Sequence, residues 1–397
     1  MHELRNNAEV LANRFNRFGY QCIHVISPEA CNILGAMVSV IALNDYIQVI
    51  HYDSLIDLCE LLQKYNIVAV VPGFETGVLI ADMIIDMIGL TNGNVSRLSE
   101  ARRNKFTMIN TIADQNLRTA KSLLVSDASR AINWFNENKF RMVVVKPLFS
   151  AASDLVFFCS NSLDLQNKVK YILNSKTIFG ESNKEVLVQE YIDGEQYIVN
   201  SVSLNGKHIT VDVWKESYLK KYSLVDDSHA DLITHKSEYF MPIVNYIHKC
   251  LDALGIKNGC SHSELKLTKN GPVIIEVGAR LAGRCDFDVI ANIFGGQSQI
   301  DLLIQSIVDP IGLLEKVQNS NYLHTDNCAR YIYLTHNEAI KLNSEIINSN
   351  LPYVYGLHIN QKIRDYPTTS YCYLISKNTT DISNKHHKIL SIVKNEK

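Results

Sequence analysis

The chain has 397 residues, too many for one simple core and enough for two or three domains. Its formal net charge of −2 gives no electrostatic reason to expect nucleic acid or a membrane surface as partner. Nine dispersed cysteines, never spaced C-x-x-C, read as reduced buried thiols of a cytoplasmic protein and argue against a disulfide frame or a zinc site. No signal peptide opens the chain, and the longest apolar run, Ile33–Leu43, is too short to span a bilayer.

In chain order, Leu4, Ala8, Leu11, Phe15 and Phe18 stand at helical spacing, and Gly19 caps that helix. Gln21–Ser27 and Tyr46–His51 read as strands, Asp53–Tyr65 as a helix, and Ile67–Pro72 as the continuous apolar run of a parallel strand. Residues 1–95 thus form a parallel βαβ domain. The turn Pro72-Gly73-Phe74-Glu75-Thr76-Gly77 lies at a strand end, where such sheets bind ligands. Glu75 either faces a ligand there or caps the helix Thr76–Ile88. Leu98–Asn116 reads as a helix, and its Arg102, Arg103 and Lys105 by themselves read as a solvated basic face.

Thr119–Val125, Asp127–Asn138 and Phe140–Pro147 make a β-α-β unit whose last strand runs Val143-Val144-Val145-Lys146-Pro147. A lysine closing an all-valine strand is hard to place in a core. Leu155–Cys159 is a strand and Ser162–Ser175 a helix. Tyr197–Leu204 and Lys207–Trp214 flank an Asn-Gly turn and form a hairpin. Lys215–Tyr239, with Lys220, Lys221 and a solvent-exposed His229 and His235, is too long for a connector and reads as a mobile lid. Pro242–Leu254 is a helix. Beyond Ser298–Val308 the chain alternates strands (Ala329–Thr335, Ser370–Ser376) with helices (Asn337–Ile347, Asp381–Lys394) and carries no recognisable chemistry.

The most informative stretch is Ser261–Arg284. Ser261–Leu267 and Pro272–Val277 read as two strands joined by a three-residue loop, Lys269-Asn270-Gly271. Glu264 then lies opposite Glu276, with Lys266 on the same face and Arg280 joining it if the strand runs on. Two carboxylates that close destabilise a sheet unless something positive lies between them. Mg²⁺ suits them, since it takes carboxylate oxygens and shares its other positions with phosphates and water. A hairpin face with two solvated glutamates is the alternative.

This hairpin resembles the metal-binding hairpin of the ATP-grasp superfamily, in particular its carboxylate–amine ligases: a glutamate, about a dozen residues, then E-[IV]-[NG]-x-R, here Glu264 and Glu276-Val277-Gly278-Ala279-Arg280. The resemblance implies an α/β and α+β chain. An N-terminal pre-ATP-grasp domain (1–95) is followed by two ATP-grasp subdomains (96–188 and 189–310) and a C-terminal α+β extension (311–397). Members of this kind usually begin with a strand before the first helix, and many carry Asn, an extra metal ligand, where Gly278 stands. It implies Lys105 and Lys146 on the ATP phosphates, with loop 148–154 covering them through backbone N–H groups, Ser150 and Ser153. Ala151 and Ala152 make that loop stiffer than its glycine-rich relatives. It further implies Glu190, Tyr191 and Ile192 against adenine, and Gln196 or its neighbour Glu195 on ribose. Glu264 and Glu276 hold one or two Mg²⁺, with Mn²⁺ as a substitute, Glu75 faces substrate, and Arg280 stabilises the transferred phosphoryl group.

The activity implied is ATP-dependent amide formation between a small carboxylate and an amine through an acylphosphate. The alternatives are another ATP-grasp reaction, such as a purine-pathway or carboxylase-type ligase, and a non-catalytic ATP-binding protein. A homodimer is left open. Residues after the arginine line the acyl pocket in such ligases. Arg284 there implies an acid with a second anionic group, unless Asp286 or Asp288 neutralises it.

Overall fold

The computed structural model describes residues 7–27, 43–151, 153–217, 228–283, 285–318, 320–349, 351–359 and 370–394. Arg284, Ala152, Lys220 and Lys221 lie outside them. Among the described residues no helix is long and apolar enough to cross a membrane.

The N-terminal part starts with the helix Asn7–Asn16 and continues in a parallel pair, β1 (Cys22–Ile26) and β2 (Tyr46–His51). The helix Leu55–Leu62 follows, with the Ser54 hydroxyl accepting from Asp57 N. Ile50, Leu58, Cys59, Leu62 and Ile84 form its core. The run Ile67–Pro72 differs from expectation. It pairs with no described strand, and Val68 is 43% exposed. An apolar run becomes a ladder only beside a strand with free donors and acceptors. Here the run instead packs through side chains, Ile67 and Val70 against the Leu58 cluster.

A four-stranded antiparallel sheet comes next: β3 (Ser122–Val125), β4 (Val143–Lys146), β5 (Phe157–Cys159) and β6 (Val186–Glu190), in the order β3-β6-β4-β5. The helices Ala128–Glu137 and Ser162–Leu173 cover it, with Leu165 and Val169 against Val143, Val145 and Val188. The valines that point inward fix which end of β4 delivers Lys146.

The larger sheet has eight strands: β7 (Glu195–Leu204), β8 (Lys207–Ser217), β9 (His229–Leu232), β10 (Gly259–Thr268), β11 (Gly271–Gly278), β12 (Cys328–Leu334), β13 (Val354–His358) and β14 (Ser370–Ser376). They run β11-β10-β7-β8-β9-β12-β14-β13. One face packs Tyr197, Val199, Val213, Leu265 and Ile274 on the helices Phe240–Ala253 and Lys105–Ala113. The other carries Val202, Ile209 and Trp214 against Ile290, Ile300 and Leu303. A bulge at Val211, between the pairs Ser201–Thr210 and Asn200–Asp212, shifts the alternation of β8 by one residue, while β7 keeps a single alternation throughout.

Two corrections concern the segments around this sheet. Of Lys215–Tyr239, read as a lid, residues 218–227 lie outside the described residues; of the rest, residues 215–217 end β8, and His229–Leu232 is β9, paired with β8 and β12. His235 is stacked on Tyr322 rather than free in solvent, and His229 packs on His386. The expected helix Leu98–Asn116 is instead two 3₁₀ turns, Ser96–Leu98 and Glu100–Arg102, and then a helix from Lys105 to Ala113 capped by the Asn104 side chain. The break has a cause distant in sequence. Arg102 is fully buried and gives Nε and Nη2 to Asp82 Oδ2 (3.1 and 2.7 Å) and Nη1 to the carbonyls of Val95 and Leu254 (3.0 and 2.9 Å).

Removing one partner of a buried pair leaves an uncompensated charge, which costs about 3–5 kcal/mol. Asp82→Ala is expected to lower unfolding stability by about that amount, read from urea denaturation. A loss below about 1 kcal/mol would show that the Arg102 site is not a fixed anchor.

Candidate functional site: a charged cluster between the two sheets

The hairpin β10–β11 brings Glu264 directly opposite Glu276, as expected, but by another route. The turn holds two residues, since Thr268 pairs with Gly271, which stands at φ +103°. That register alone would put Ile275 opposite Glu264 and turn the second carboxylate into the core. A bulge at Ile275 restores the match.

The two side chains remain about one-third exposed, 35% and 29%. Gln196 Nε2, from β7, donates to Glu264 Oε2 at 3.3 Å, and His262 Nε2 stands 3.8 Å from Oε1. Burial alone would raise the Glu264 carboxyl. His262, then Lys146 and Arg280, outweigh it and hold that carboxyl below its ordinary value.

Two buried lysines meet these carboxylates. Lys105, the first residue of its helix, places Nζ 2.9 Å from Glu276 Oε1 and donates to Ser150 O at 2.7 Å. Lys146, at the end of β4, is pushed down to about 8 by burial, with Glu276 raising it, Lys105 lowering it and Glu264 raising it. Among the described residues no three His, Cys, Asp or Glu side chains converge on one metal position, and Glu276 is paired with Lys105. The donor set nonetheless fits Mg²⁺: hard carboxylate oxygens on facing strands, open to the side from which both lysines arrive.

The loop after β4 is held at both ends. Lys105 N donates to Leu148 O at 3.3 Å, Ser150 Oγ donates to Asp154 Oδ2 at 2.6 Å, and Ile178 N donates to the same oxygen at 2.7 Å. Ser150 is therefore committed to Asp154, while Ser153 is exposed and left-handed at φ +59°.

At the hinge, Glu190 N donates to Lys121 O and Tyr191 N to Met142 O, so the chain through Ile192 follows β3 and β4 closely. Asp193-Gly194 then turns against β10, where a Cβ on Gly194 would lie 2.6 Å from Leu267 O. Gln196 and Glu195 fall on opposite faces. Gln196 joins Glu264, whereas Glu195 is exposed, paired with Lys215 and accepting from Tyr197 OH. This removes Glu195 from the carboxylate face.

Glu75 caps nothing; the Thr76 N-cap has no side-chain hydrogen bond. It is buried, accepts from Arg280 Nε at 2.7 Å, and lies 3.6 Å from Arg103 Nη1. Arg103 in turn lies over the rings of Phe179 and Phe149. A Cβ on Gly278 would meet Arg280 Cζ and Glu75 Oε2 at 3.4 Å, so the bare glycine leaves room for this pair. His262 and Asn200, which the sequence reading did not single out, stand beside the site, and Arg103, read there as part of a solvated basic face, is buried against Glu75. For His262 the period-two spacing from Glu264 was the available signal.

Burial alone would raise the Glu75 carboxyl, but Arg280, Arg103 and Lys105 hold it below its ordinary value. A depressed carboxyl adds stability above its unfolded value of 4.5 and loses it as pH falls through the folded value. Glu75→Gln is therefore expected to lower stability at neutral pH and to flatten the acid-side loss below about pH 4.5, measured by urea unfolding across pH. An unchanged acid limb would count against the triad of Glu75, Arg280 and Arg103.

The chain is similar to known proteins across this whole arrangement. A family model described as an ATP-grasp domain matches residues 140–288. Dapdiamide A synthase of Enterobacter agglomerans is 30% identical over 320 residues, 81% of this chain and 75% of that protein. The crystal structure of an L-amino acid ligase from Bacillus licheniformis superposes with a TM-score of 0.73 at 14% identity, covering 98% of this chain and 96% of that one. The biotin carboxylase domain of Hydrogenobacter thermophilus 2-oxoglutarate carboxylase, solved with MgADP and bicarbonate, gives 0.65 at 12% identity, covering 97% and 92%. The chain belongs to the ATP-grasp family, and within it to the ATP-dependent ligases that join a carboxylate to an amine.

Proposed function

We propose that this ligase condenses a small carboxylic acid with an amino acid through an acylphosphate. The observation that carries the reading is the meeting of two facing carboxylates, Glu264 and Glu276, with two buried lysines, Lys146 from the end of β4 and Lys105 from the start of its helix. A triphosphate with its metal neutralises both halves of such a cluster. In the first step the acid's carboxylate oxygen attacks the γ-phosphorus of ATP, the bond to the β-phosphate oxygen breaks, and ADP leaves. In the second the amine attacks the acyl carbon, loses a proton, and inorganic phosphate departs. No protein nucleophile is needed; positioning and charge stabilisation suffice.

Lys105 and Lys146 bind the phosphates as point charges. Arg280, oriented by Glu75, faces the charge that develops on the phosphoryl group and the tetrahedral oxygen. Glu190, Tyr191 and Ile192 edge the adenine, and Gln196, on the carboxylate face, is the ribose-side residue. Glu264 and Glu276 would hold Mg²⁺, which supplies neutralisation of the phosphate charge; Mn²⁺ substitutes for it.

Arg284 selects an acid with a second anionic group. The two carboxylates of the alternative, Asp286 and Asp288, each also make a contact that does not involve it. Asp286 accepts from His358 Nε2 at 2.8 Å and caps the helix Phe287–Ile293, and Asp288 pairs with Arg14.

Phosphate release screened over pairs of acids and amino acids with Mg-ATP tests the reading. Release that requires both substrates is expected, and ATP hydrolysis indifferent to the amine would overturn it. Lys146→Ala is expected to weaken ATP binding by about ten- to a hundredfold, since a charge-assisted phosphate contact contributes about 1.5–3 kcal/mol. An unaltered ATP dissociation constant by titration calorimetry would take this lysine off the phosphates. Arg284→Ala should raise KM for the acid far more than for ATP; a preference for plain aliphatic acids, indifferent to the change, would refute the anionic-pocket reading alone.

A further inference from the structure

Four consecutive residues, Arg102 to Lys105, lead from the second 3₁₀ turn into its helix, and three of their side chains are hydrogen-bonded. Arg102 is tied to Asp82 and to the carbonyls of Val95 and Leu254. The Asn104 side chain accepts from Phe106 N and Thr107 N, and Lys105 holds Glu276 and Ser150 O. Arg103 is the exception. It is 6% exposed, yet its guanidinium makes no hydrogen bond among the described residues, and Nη1 is a buried donor without an acceptor. The carboxylate beside it, Glu75 Oε1, stands 3.6 Å away, beyond hydrogen-bond length.

A buried donor left unpaired carries its full desolvation cost, and native chains keep few of them. Arginine cannot escape that cost by losing its proton. The local charges leave the same gap. Glu75 is shared by two guanidinium groups, its other oxygen accepting from Arg280 Nε at 2.7 Å. The dry group of Glu75, Arg280 and Arg103 thus carries one positive charge more than it has negative ones. The cation next to it, Lys105, is already matched by Glu276. Aromatic rings hold the Arg103 side chain instead, with Cζ 5.0 Å from the Phe179 ring centre and 5.8 Å from that of Phe149. A cation over aromatic rings spends no N–H on that contact, so its donors stay available. The backbone is fixed as well, Arg103 N donating to Glu100 O at 2.9 Å between the Arg102 anchor and the Asn104 cap. What the group lacks is a planar anion, since the guanidinium fork matches a carboxylate with two parallel hydrogen bonds.

We propose that Arg103 binds the α-carboxylate of the amino acid that supplies the amine. The proposal rests on the acylphosphate reading above and names how the second substrate is recognised. The acid's own carboxylate is consumed, passing from anion to acylphosphate to amide, and Arg280 faces that change. The α-carboxylate of the amino acid keeps its charge throughout, which suits a guanidinium held in place by its backbone and by two rings. Glu75 keeps Arg103 and Arg280 side by side. In an α-amino acid the attacking nitrogen and the carboxylate stand on one carbon, so a carboxylate on Arg103 leaves the nitrogen close to Arg280. Of the two rings, Phe179 is 1% exposed and Phe149 half-buried, so Phe149, on the loop after β4, is the one that turns aside to admit the ligand.

Steady-state kinetics of the full chain with three amines, at saturating acid and Mg-ATP, test this. The amines are the amino acid selected by the phosphate-release screen, its α-amide, and hydroxylamine, which traps the acylphosphate as a hydroxamate. In the wild-type protein the KM of the amide is expected at least about tenfold above that of the amino acid. Arg103→Gln is expected to raise KM for the amino acid about ten- to a hundredfold, to remove its advantage over the amide, and to raise KM for hydroxylamine far less. An equal rise for hydroxylamine and the amino acid, a rise confined to the acid or ATP, or no rise at all overturns the assignment. Wild-type protein that uses the amide as well as the amino acid overturns it too, even if Arg103→Gln does not fold. Hydroxamate formed without any preference for a carboxylate on the amine refutes Arg103 alone. Absence of hydroxamate in the wild-type protein removes the acylphosphate reading, and this role of Arg103 with it.

Discussion

Two lysines buried beside two carboxylates constrain everything around them. A buried ammonium is stable as a charge only with partners, and the lowering of Lys146 to about 8 shows how far burial outweighs them. The arrangement needs a rigid frame from both sheets. Val143, Val145 and the helix Ser162–Leu173 fix the end of β4, and the Asn104 cap fixes where the helix bearing Lys105 begins. The charge cluster is thus kept by packing that would be just as favourable without it. Such a site is maintained for what it binds, at a cost to the free protein.

A second charge group, Glu75 with Arg280 and Arg103, is dry where the first is half open. Its geometry explains Gly278. A side chain there would press on Arg280 and Glu75, so the strand carries none and the hairpin loses a functional position on β11. That space is taken by the Arg280 and Glu75 side chains themselves. The strand partner of Gly278 on β10, His262, is a neighbour in space but sixteen positions away in the chain.

How much of this was legible follows from what each feature depends on. The hairpin was legible because period-two spacing and a turn signal are local. Its register came out right through compensation of a shorter turn by the bulge at Ile275, which nothing in the residues announces. Lys146 was legible because a charge ending a valine strand breaks the local pattern. The start of the helix at Lys105 was not, since it is set by Arg102 reaching Asp82 and Leu254, the latter 152 positions away. The choice between Glu195 and Gln196 was also closed to sequence, because it turns on which face of β7 meets Glu264. The run Ile67–Pro72 misled for the opposite reason: its local pattern was sound, and only the want of a pairing partner among the described residues decides against a ladder.

The C-terminal segment had no chemistry in its sequence, yet it bears on the site through contact. β12 to β14 continue the same sheet that carries the glutamates, so among the described residues the strands of the extension belong to that sheet. It also grips the residues that follow the arginine turn. Asp286 N donates to Tyr373 OH at 3.2 Å, and His358 Nε2 stands 2.8 Å from Asp286 Oδ2. Gly356, at φ +52°, approaches so closely that a Cβ would lie 2.8 Å from that same oxygen. Asp286 is at once the cap of the helix Phe287–Ile293 and the anchor of this contact. One carboxylate therefore ties the extension to the start of a helix two residues beyond Arg284. Changes in the extension are thereby coupled to the segment that follows the arginine turn.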